Sequence, residues 1–457
     1  MWEMTKEGEI VDTKFRKTII RSKAAFAYGD AQKILDDPNA KDEKALGLKG
    51  LNSLAKKLRK KRMDAGALTL ASPQIKFVLN EDTQKPQDAE MYQLKEANAM
   101  VEEFMLLANI SVAKKILKHF PSFSVLRRHP RPSESQFDML VRAAKIKGLE
   151  IDVSSSKKLA ESLDRCIIKG FPYFNTLIRV LATRCMTQAI YFSSGSVPPE
   201  EYQHYGLATP IYTHFTSPIR RYADILVHRL LAASLGIDPV PKTLESEEKS
   251  KTMCEHMNHR NRMAQQVGRS SSALFTLLFF REKDVIEEGI VLSVRKNGIR
   301  VFIPKFGIEG SIAVAKGGGG EAEKAGASSA GKKSGGEDDN NGWIFDGETL
   351  ILSNPTLPGS PRYQIFDRLR VRIYVKRSEM RREWLEMEIP GTGAAAEKGD
   401  AKKGGGDAKM VSSTAGGGKK RAAAAVSPSK DSKPKRPRRT SAKKKGTKKT
   451  KKRQRGT

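Results

Sequence analysis

The sequence predicts an α+β fold in three parts: helices with a mixed sheet, a smaller all-β unit, and a disordered basic tail. Three observations predict it. Over residues 1–283 apolar side chains recur mainly at helical spacing, with no long Gly or Ser tract. Over 285–390 the period changes to two, interrupted by a Gly/Ser/Lys/Glu insertion at 316–342. Over 391–457 the chain becomes Gly, Ala, Ser and Lys with almost no aromatics, and cannot bury enough surface to offset the entropy of ordering.

The elements follow in order. Val11, Thr13, Phe15 and Ile19 alternate with polar neighbours, so Trp2 to Ile20 reads as strands. A domain that opens on an apolar strand reads as an entry into the middle of a sheet, as in a fragment. A native strand whose partners come later in the chain fits as well. Leu51 to Arg62 is a basic amphipathic helix ending near Gly66, and Glu96 to Leu117 sets Met100, Phe104, Leu107 and Ile110 at helical spacing. Phe174 to Tyr191 and Ile219 to Leu235 read as two more helices, the second stopped at Gly236. Val294, Asn297-Gly298, Val301 and Ile303 give a hairpin with a tight positive-φ turn. Val371, Ile373 and Val375, then Leu385, Met387 and Ile389, supply two further strands, and so few short strands suggest a small barrel of the OB type.

Charge narrows the function. The chain of 457 residues carries 83 Lys+Arg against 52 Asp+Glu, a net +31. From Lys398 to Thr457 there are 22 basic and 3 acidic residues, which leaves a modest basic excess for the rest. No apolar run is long enough to span a membrane, no signal peptide opens the chain, and Cys166, Cys185 and Cys254 lack disulfide or zinc spacing. An intracellular protein with a polyanionic partner is the class that remains.

The densest constellation is Tyr212-Thr213-His214-Phe215-Thr216-Ser217-Pro218-Ile219-Arg220-Arg221-Tyr222-Ala223-Asp224. Thr216 or Ser217 reads as a helix N-cap and Pro218 as the first helical residue. Arg220 and Arg221 then sit in a first turn that disfavours positive charge. They either meet an anion there, with free backbone N–H groups making a phosphate site, or answer carboxylates such as Asp224. His214 and His228 have no zinc-spaced partners and read as buried, hydrogen-bonding histidines.

This segment, with His228 and Arg229, resembles the signature of the RNase II/RNase R (RNB) exoribonucleases. Further motifs resemble the family in the right order: Ala65-Gly66-Ala67-Leu68, Val101-Glu102-Glu103-Phe104-Met105-Leu106-Leu107-Ala108-Asn109, Leu126-Arg127-Arg128-His129-Pro130, Phe171-Pro172-Tyr173 with Asn175, and Tyr205-Gly206-Leu207. The likeness runs from about Trp2 to Pro390 and is strongest to the eukaryotic, exosome-associated branch. It implies 3′→5′ hydrolysis of single-stranded RNA to nucleoside 5′-monophosphates, RNA and exosome core subunits as partners, no membrane, and no small-molecule cofactor.

The resemblance also assigns residues. Arg220 is the first candidate for the scissile phosphate and Arg221 the second. Tyr28 and Glu102 match positions beside the 3′-terminal ribose, where a ring stacks and a carboxylate accepts from a 2′-OH. Taken alone, Tyr28 reads equally as core filling and Glu102 as a surface acid. Gly289 to Ile312 resembles the closing OB-fold RNA-binding domain. There Phe302 and Phe306 either stack on bases beside Arg295, Lys296, Arg300 and Lys305 or fill the barrel core. Where bacterial members carry an aromatic this chain has Leu70, so base clamping there is weaker or comes from elsewhere.

The family implies Mg²⁺, held by an Asp-x-x-x-x-x-Asp-x-Asp-Asp motif that has no equivalent in residues 1–457. Asp36-Asp37 reads as a helix end and Asp338-Asp339 as solvated, so no metal ligand is assigned. The cold-shock and endonuclease domains expected upstream are missing as well. The expected polypeptide is thus an incomplete RNB catalytic domain followed by an OB-fold barrel. The alternative is a non-catalytic RNA-binding or exosome-assembly protein derived from such an enzyme. In the tail, Lys433-Pro434-Lys435-Arg436-Pro437-Arg438-Arg439 and the run from Lys443 to Arg453 read as nuclear localisation signals or nucleic-acid tethers, and Ser427-Pro428 as a phosphosite.

Overall fold

A computed structural model of the chain describes residues 1–70, 75–80, 86–91, 94–314, 342–357 and 359–390. The tail at 391–457, with its basic runs and Ser427-Pro428, lies outside the described residues, as does the insertion apart from Gly342. The chain divides into units at 1–397 and 398–457, and every helix and strand described belongs to the first.

The opening pattern pairs only in part. β1 (Trp2–Met4) and β2 (Ile10–Thr13) form an antiparallel ribbon, anchored where the Trp2 indole N–H donates to Ser111 Oγ at 3.0 Å. The strand expected to run to Ile20 stops at Thr13. α1 (Tyr28–Asp36) and α2 (Glu43–Asp64) follow, α2 starting earlier than the Leu51 expected. β3 (Ile75–Leu79) and β4 (Pro86–Met91) make a hairpin that leads into α3 (Glu96–His119).

α3 is the spine of the helical part. It packs with β5 (Val125–Arg128), β6 (Ile190–Ser193) and α7 (Tyr222–Ser234) around a core of Val112, Ile116, Leu126, Phe192, Leu226 and Leu230. A second core lies among α4 (Asp138–Ile146), α5 (Ser156–Arg165) and α6 (Phe174–Cys185). The helix expected to reach Tyr191 ends at Cys185, because Ile190 to Ser193 pair with β5 instead. α8 (Glu247–Phe280), capped by Ser246, is a 34-residue helix that crosses to the β unit.

The β unit contains β7 (Val285–Arg295), β8 (Gly298–Ile303) and β9 (Ile308–Ala313), then β10 (Ile344–Asp346), β11 (Ile351–Ser353) and β12 (Arg362–Gln364), then β13 (Arg368–Arg377) and β14 (Glu383–Glu388). Its main sheet is antiparallel in the order β14-β13-β7-β8-β9, beside a three-stranded sheet β10-β11-β12. The main sheet curls until its two edges touch: a Cβ at Gly310 of β9 would sit 2.2 Å from Met387 Sδ of β14. The expected hairpin is present, with Lys296 and Asn297 as its turn. Its glycine has a different reason from the one expected. Neither Asn297 nor Gly298 has positive φ; a Cβ at Gly298 would lie 2.3 Å from the Ile312 carbonyl oxygen, so strand approach excludes a side chain there.

Phe302 and Phe306 are core residues, which removes them from the base-stacking role. Phe302 is 1% exposed, packed with Ile290, Leu292 and the helical layer. Phe306 meets Phe279 and Phe280 edge-on, with centroids 5.8 and 5.2 Å away.

Candidate functional site

The helix carrying the arginine motif starts later than its sequence suggests. α7 begins at Tyr222, with Arg221 at the N-cap position, and Pro218 to Arg220 belong to a preceding turn. Two neighbours explain this. Asp224, wholly buried, accepts from the Ser217 backbone N–H at 2.7 Å. The N–H groups of Arg220 and Arg221 donate to the Ser217 carbonyl at 3.2 and 3.1 Å, closing the turn before the helix.

The two arginines have different surroundings. Arg221 forms a two-pronged pair with Asp224, Nε to Oδ2 and NH2 to Oδ1, both 2.7 Å. For Arg221 the carboxylate alternative therefore holds. Arg220 is exposed, and its guanidinium makes no hydrogen bond or ion pair with the described residues.

Asn109 of α3 fixes the other side of the turn. It is 2% exposed. Its Oδ1 accepts from Phe215 N at 2.9 Å and Thr216 N at 3.3 Å, and its amide donates to the Tyr212 hydroxyl at 2.9 Å. The backbone N–H groups of residues 215, 216, 217, 220 and 221 thus already have protein acceptors. The loop offers an anion the Arg220 side chain rather than a nest of free amides. Sequence reasoning gave Asn109 no role, although a signal was present: it interrupts the buried face of α3 between Leu106 and Val112, and a buried amide needs partners.

Glu102 lies seven residues before Asn109, so both occupy the same side of α3, roughly 10 Å apart along its axis. Glu102 is half exposed and 3.8 Å from Arg62, whose firmer partner is the buried Glu103, at 3.1 Å from Nε. Tyr28, 47% exposed, opens α1, which docks on the start of α3 through a bond from Ala97 N to Gln32 Oε1 at 3.0 Å. The structure therefore gathers Tyr28, Glu102 and the Arg220 turn around one helix. Arg295 and Lys296 stand exposed at the β7–β8 turn of the β unit. Leu70 is half-buried against the α4–α6 core.

Behind the turn lies a packed line of rings. His129 and His204 are 5.2 Å apart, His204 and Tyr212 5.3 Å, Tyr212 and His214 5.6 Å. Tyr191 OH bonds His214 Nδ1 at 2.7 Å, and Arg127 lies 4.6 Å over the Tyr191 ring. Burial, with Arg127 and Arg221 nearby, pushes the His214 pKa down to about 2; burial and His129 push that of His204 to about 3. Both rings are neutral at physiological pH. His228, expected to be buried, is instead exposed: it stacks on Phe215 at 4.1 Å and its Nε2 bonds the Phe215 carbonyl at 2.9 Å.

The acids around the site do not fit a Mg²⁺ ion. Asp224 and Glu103 are both closed by arginine, and among the described residues no three His, Cys, Asp or Glu side chains converge. These acids therefore support no hydrolytic step through a metal. Asp36 and Asp37 form the end of α1, as their sequence suggests, and Asp338-Asp339 lie outside the described residues.

The site is thus an exposed arginine on a turn braced by buried Asn109 and Asp224, in a helical part joined to a curled five-stranded sheet. The RNB domain family matches residues 1–237 and an S1 domain family matches 285–384, and the chain belongs to the RNB family. It is 53% identical to the exosome complex exonuclease RRP44 homolog A of Arabidopsis thaliana over 312 residues, covering 68% of this chain and 33% of that protein. To the human exosome complex exonuclease RRP44 it is 51% identical over 313 residues, covering 68% and 32%. The chain spans about a third of the length of these relatives. Its fold matches apo RNase R of Mycoplasma genitalium with a TM-score of 0.67 at 23% identity, over 84% of this chain and 56% of that one. Among the described residues no helix is long and apolar enough to cross a membrane.

Proposed function

We propose that this chain grips the 3′ end of single-stranded RNA for a 3′→5′ exoribonuclease that releases nucleoside 5′-monophosphates. The observation that carries the reading is the exposed, unpartnered Arg220, on a turn held from both sides by buried Asn109 and Asp224. A guanidinium held this way meets a backbone phosphate without first breaking an ion pair. Tyr28 supplies a stacking face and Glu102 an acceptor for a ribose 2′-OH, the feature that separates RNA from DNA. Arg295 and Lys296 extend the contact electrostatically, independent of sequence. Mg²⁺ belongs to the reaction by family, but the ligands are not among this chain's paired acids.

The relatives' role as exosome exonucleases supports work in RNA processing and decay beside exosome core subunits. The basic runs of the tail support a nuclear site of action. The test is binding and turnover together. The purified chain should bind single-stranded RNA more tightly than DNA of the same sequence and release no mononucleotides with Mg²⁺. Equal affinity for RNA and DNA would remove the ribose assignment, and processive mononucleotide release would overturn the division of the site.

A further inference from the structure

We infer that Phe366 is a positioning residue: it plugs the β unit into the helical part and so holds the RNA contacts of the two at a fixed separation. The RNA half of this statement rests on the function proposed above. Five non-glycine residues have positive φ among the described residues. Two of them, Leu350 (φ 50°) and Phe366 (φ 71°), are large apolar side chains only 2% exposed. Left-handed backbone favours glycine, and a bulky side chain there is strained. Both residues belong to turns of the β unit, before β11 and β13, yet both side chains lie in the core among α4, α5 and α6. A residue that breaks the local rule at its own turn and is buried in a neighbour's core is held there for its side chain.

The β unit fixes Phe366 in this conformation. Its N–H donates to the Val291 carbonyl of β7 at 2.7 Å, and the Val291 N–H donates to the Asp367 carbonyl at 2.9 Å. Asp367 closes the turn, its Oδ2 accepting from Gln364 N at 2.7 Å and its N–H donating to the Gln364 carbonyl at 3.1 Å. The ring then meets Phe174, the first residue of α6, edge to face with centroids 5.0 Å apart. A polar clasp surrounds the plug. Arg368 lies 4.8 Å over the Phe171 ring and donates to the Gly170 carbonyl at 2.9 Å, and Arg142 of α4 donates to the Gly347 carbonyl at 3.2 Å. All of these partners lie within residues 142–368.

The consequence is geometrical. Arg220 belongs to the helical part, whereas Arg295 ends β7, the strand whose Val291 is bonded to Phe366. With the joint closed, the two guanidinium groups stand at one separation. An RNA strand that reaches both then makes its second contact without ordering the protein first. With the joint loosened, only RNA long enough to span both parts loses affinity.

Pulsed electron paramagnetic resonance distances on the full chain test the joint, and RNA binding tests its use. Spin labels at Glu161→Cys on α5 and Met380→Cys between β13 and β14 report the separation of the two parts. Cys166, Cys185 and Cys254 are buried, which keeps the label off them. The distance distribution should be narrow in the otherwise unchanged chain and broad in Phe366→Gly, which suits the positive φ and removes the side chain. Phe366→Leu, which keeps an apolar plug, should stay narrow. Arg368→Ala, which opens the clasp and leaves the core intact, should broaden the distribution to a smaller extent. At high salt, Phe366→Gly should weaken binding of an oligouridylate that reaches both Arg220 and Arg295 by about tenfold, and leave a short one that reaches only Arg220 unchanged. A broad distribution in the parent, or one left narrow by both Phe366→Gly and Arg368→Ala, would overturn the joint. Equal losses for long and short RNA, or no loss for the long one, would overturn the positioning role. The distances are read without RNA, so failure of the proposed function shows separately, as short-RNA binding indifferent to Arg220→Ala.

Discussion

Arg221 and Asp224, three residues apart, close on each other through two 2.7 Å hydrogen bonds, with the Asp224 carboxylate wholly buried. The pair sets the two guanidinium groups of the Ile-Arg-Arg segment apart: that of Arg221 braces the turn, and that of Arg220 is exposed. Arg221→Ala should therefore act on stability, lowering it by about 3 kcal/mol or more, because it strands a buried charge. Chemical denaturation of the variant measures this; loss of RNA affinity with unchanged stability would reverse the assignment of the two arginines.

Asn109→Ala should loosen the same turn from its other side. It deprives Phe215 N, Thr216 N and the Tyr212 hydroxyl of their partner, at a cost of about 1–3 kcal/mol. Amide exchange at residues 215 and 216 should accelerate, and RNA affinity should fall with Glu102 and Tyr28 untouched. Unchanged exchange at those two amides would show that Asp224 alone holds the turn.

The ring cluster predicts a pH dependence. His214 and His204 have folded pKa values of about 2 and about 3, below the ordinary value near 6.5 that the unfolded chain has. The unfolded state then binds more protons, so stability is fully present above about pH 6.5 and declines as pH falls toward 3. The slope is roughly 1.4 kcal/mol per pH unit for each histidine. Denaturant midpoints from pH 7 to 4 check this, and His204→Gln should flatten the slope by about one proton.

The β unit separates core from contact. Phe302→Ala should cost about 3–5 kcal/mol as a cavity in a packed core. Arg295→Ala should leave stability alone and make the log–log salt dependence of RNA binding shallower by about 0.7, one phosphate contact on a single strand. A salt slope that moves with Phe302 rather than Arg295 would return the ring to the binding surface.

Much of this fold was legible because apolar periodicity reports burial. The face of α3 and the strands β7, β8, β13 and β14 each pack on a core, and each carries its period in the sequence. α8 did not show, because residues 262–274 are exposed on every side and leave no stripe to count. The end of α6 was misplaced because Ile190 to Phe192 are apolar for strand pairing, which a helical count absorbs. The arginine motif stood out, with Asp224 already a candidate partner, but which arginine Asp224 holds was not legible. Proline at a plausible first helical position argues for an early start, whereas the Ser217–Asp224 bond and the long-range contact from Asn109, 106 residues away from Phe215, hold the loop off the helix. Phe302 and Phe306 show the same limit from the other side, since an aromatic beside basic residues on a strand points inward or outward with equal ease in a sequence.

Direct contact between Arg220 and an RNA phosphate is the centre of the proposed function. Its most direct test is the affinity of full-length Arg220→Ala for single-stranded RNA, at a salt concentration high enough to suppress the counterion-driven binding of the basic tail. The predicted result is a loss of about tenfold or more with an unchanged denaturation midpoint. Unchanged affinity in that variant, while the ion-paired Arg221 proves to be the residue RNA requires, would contradict it.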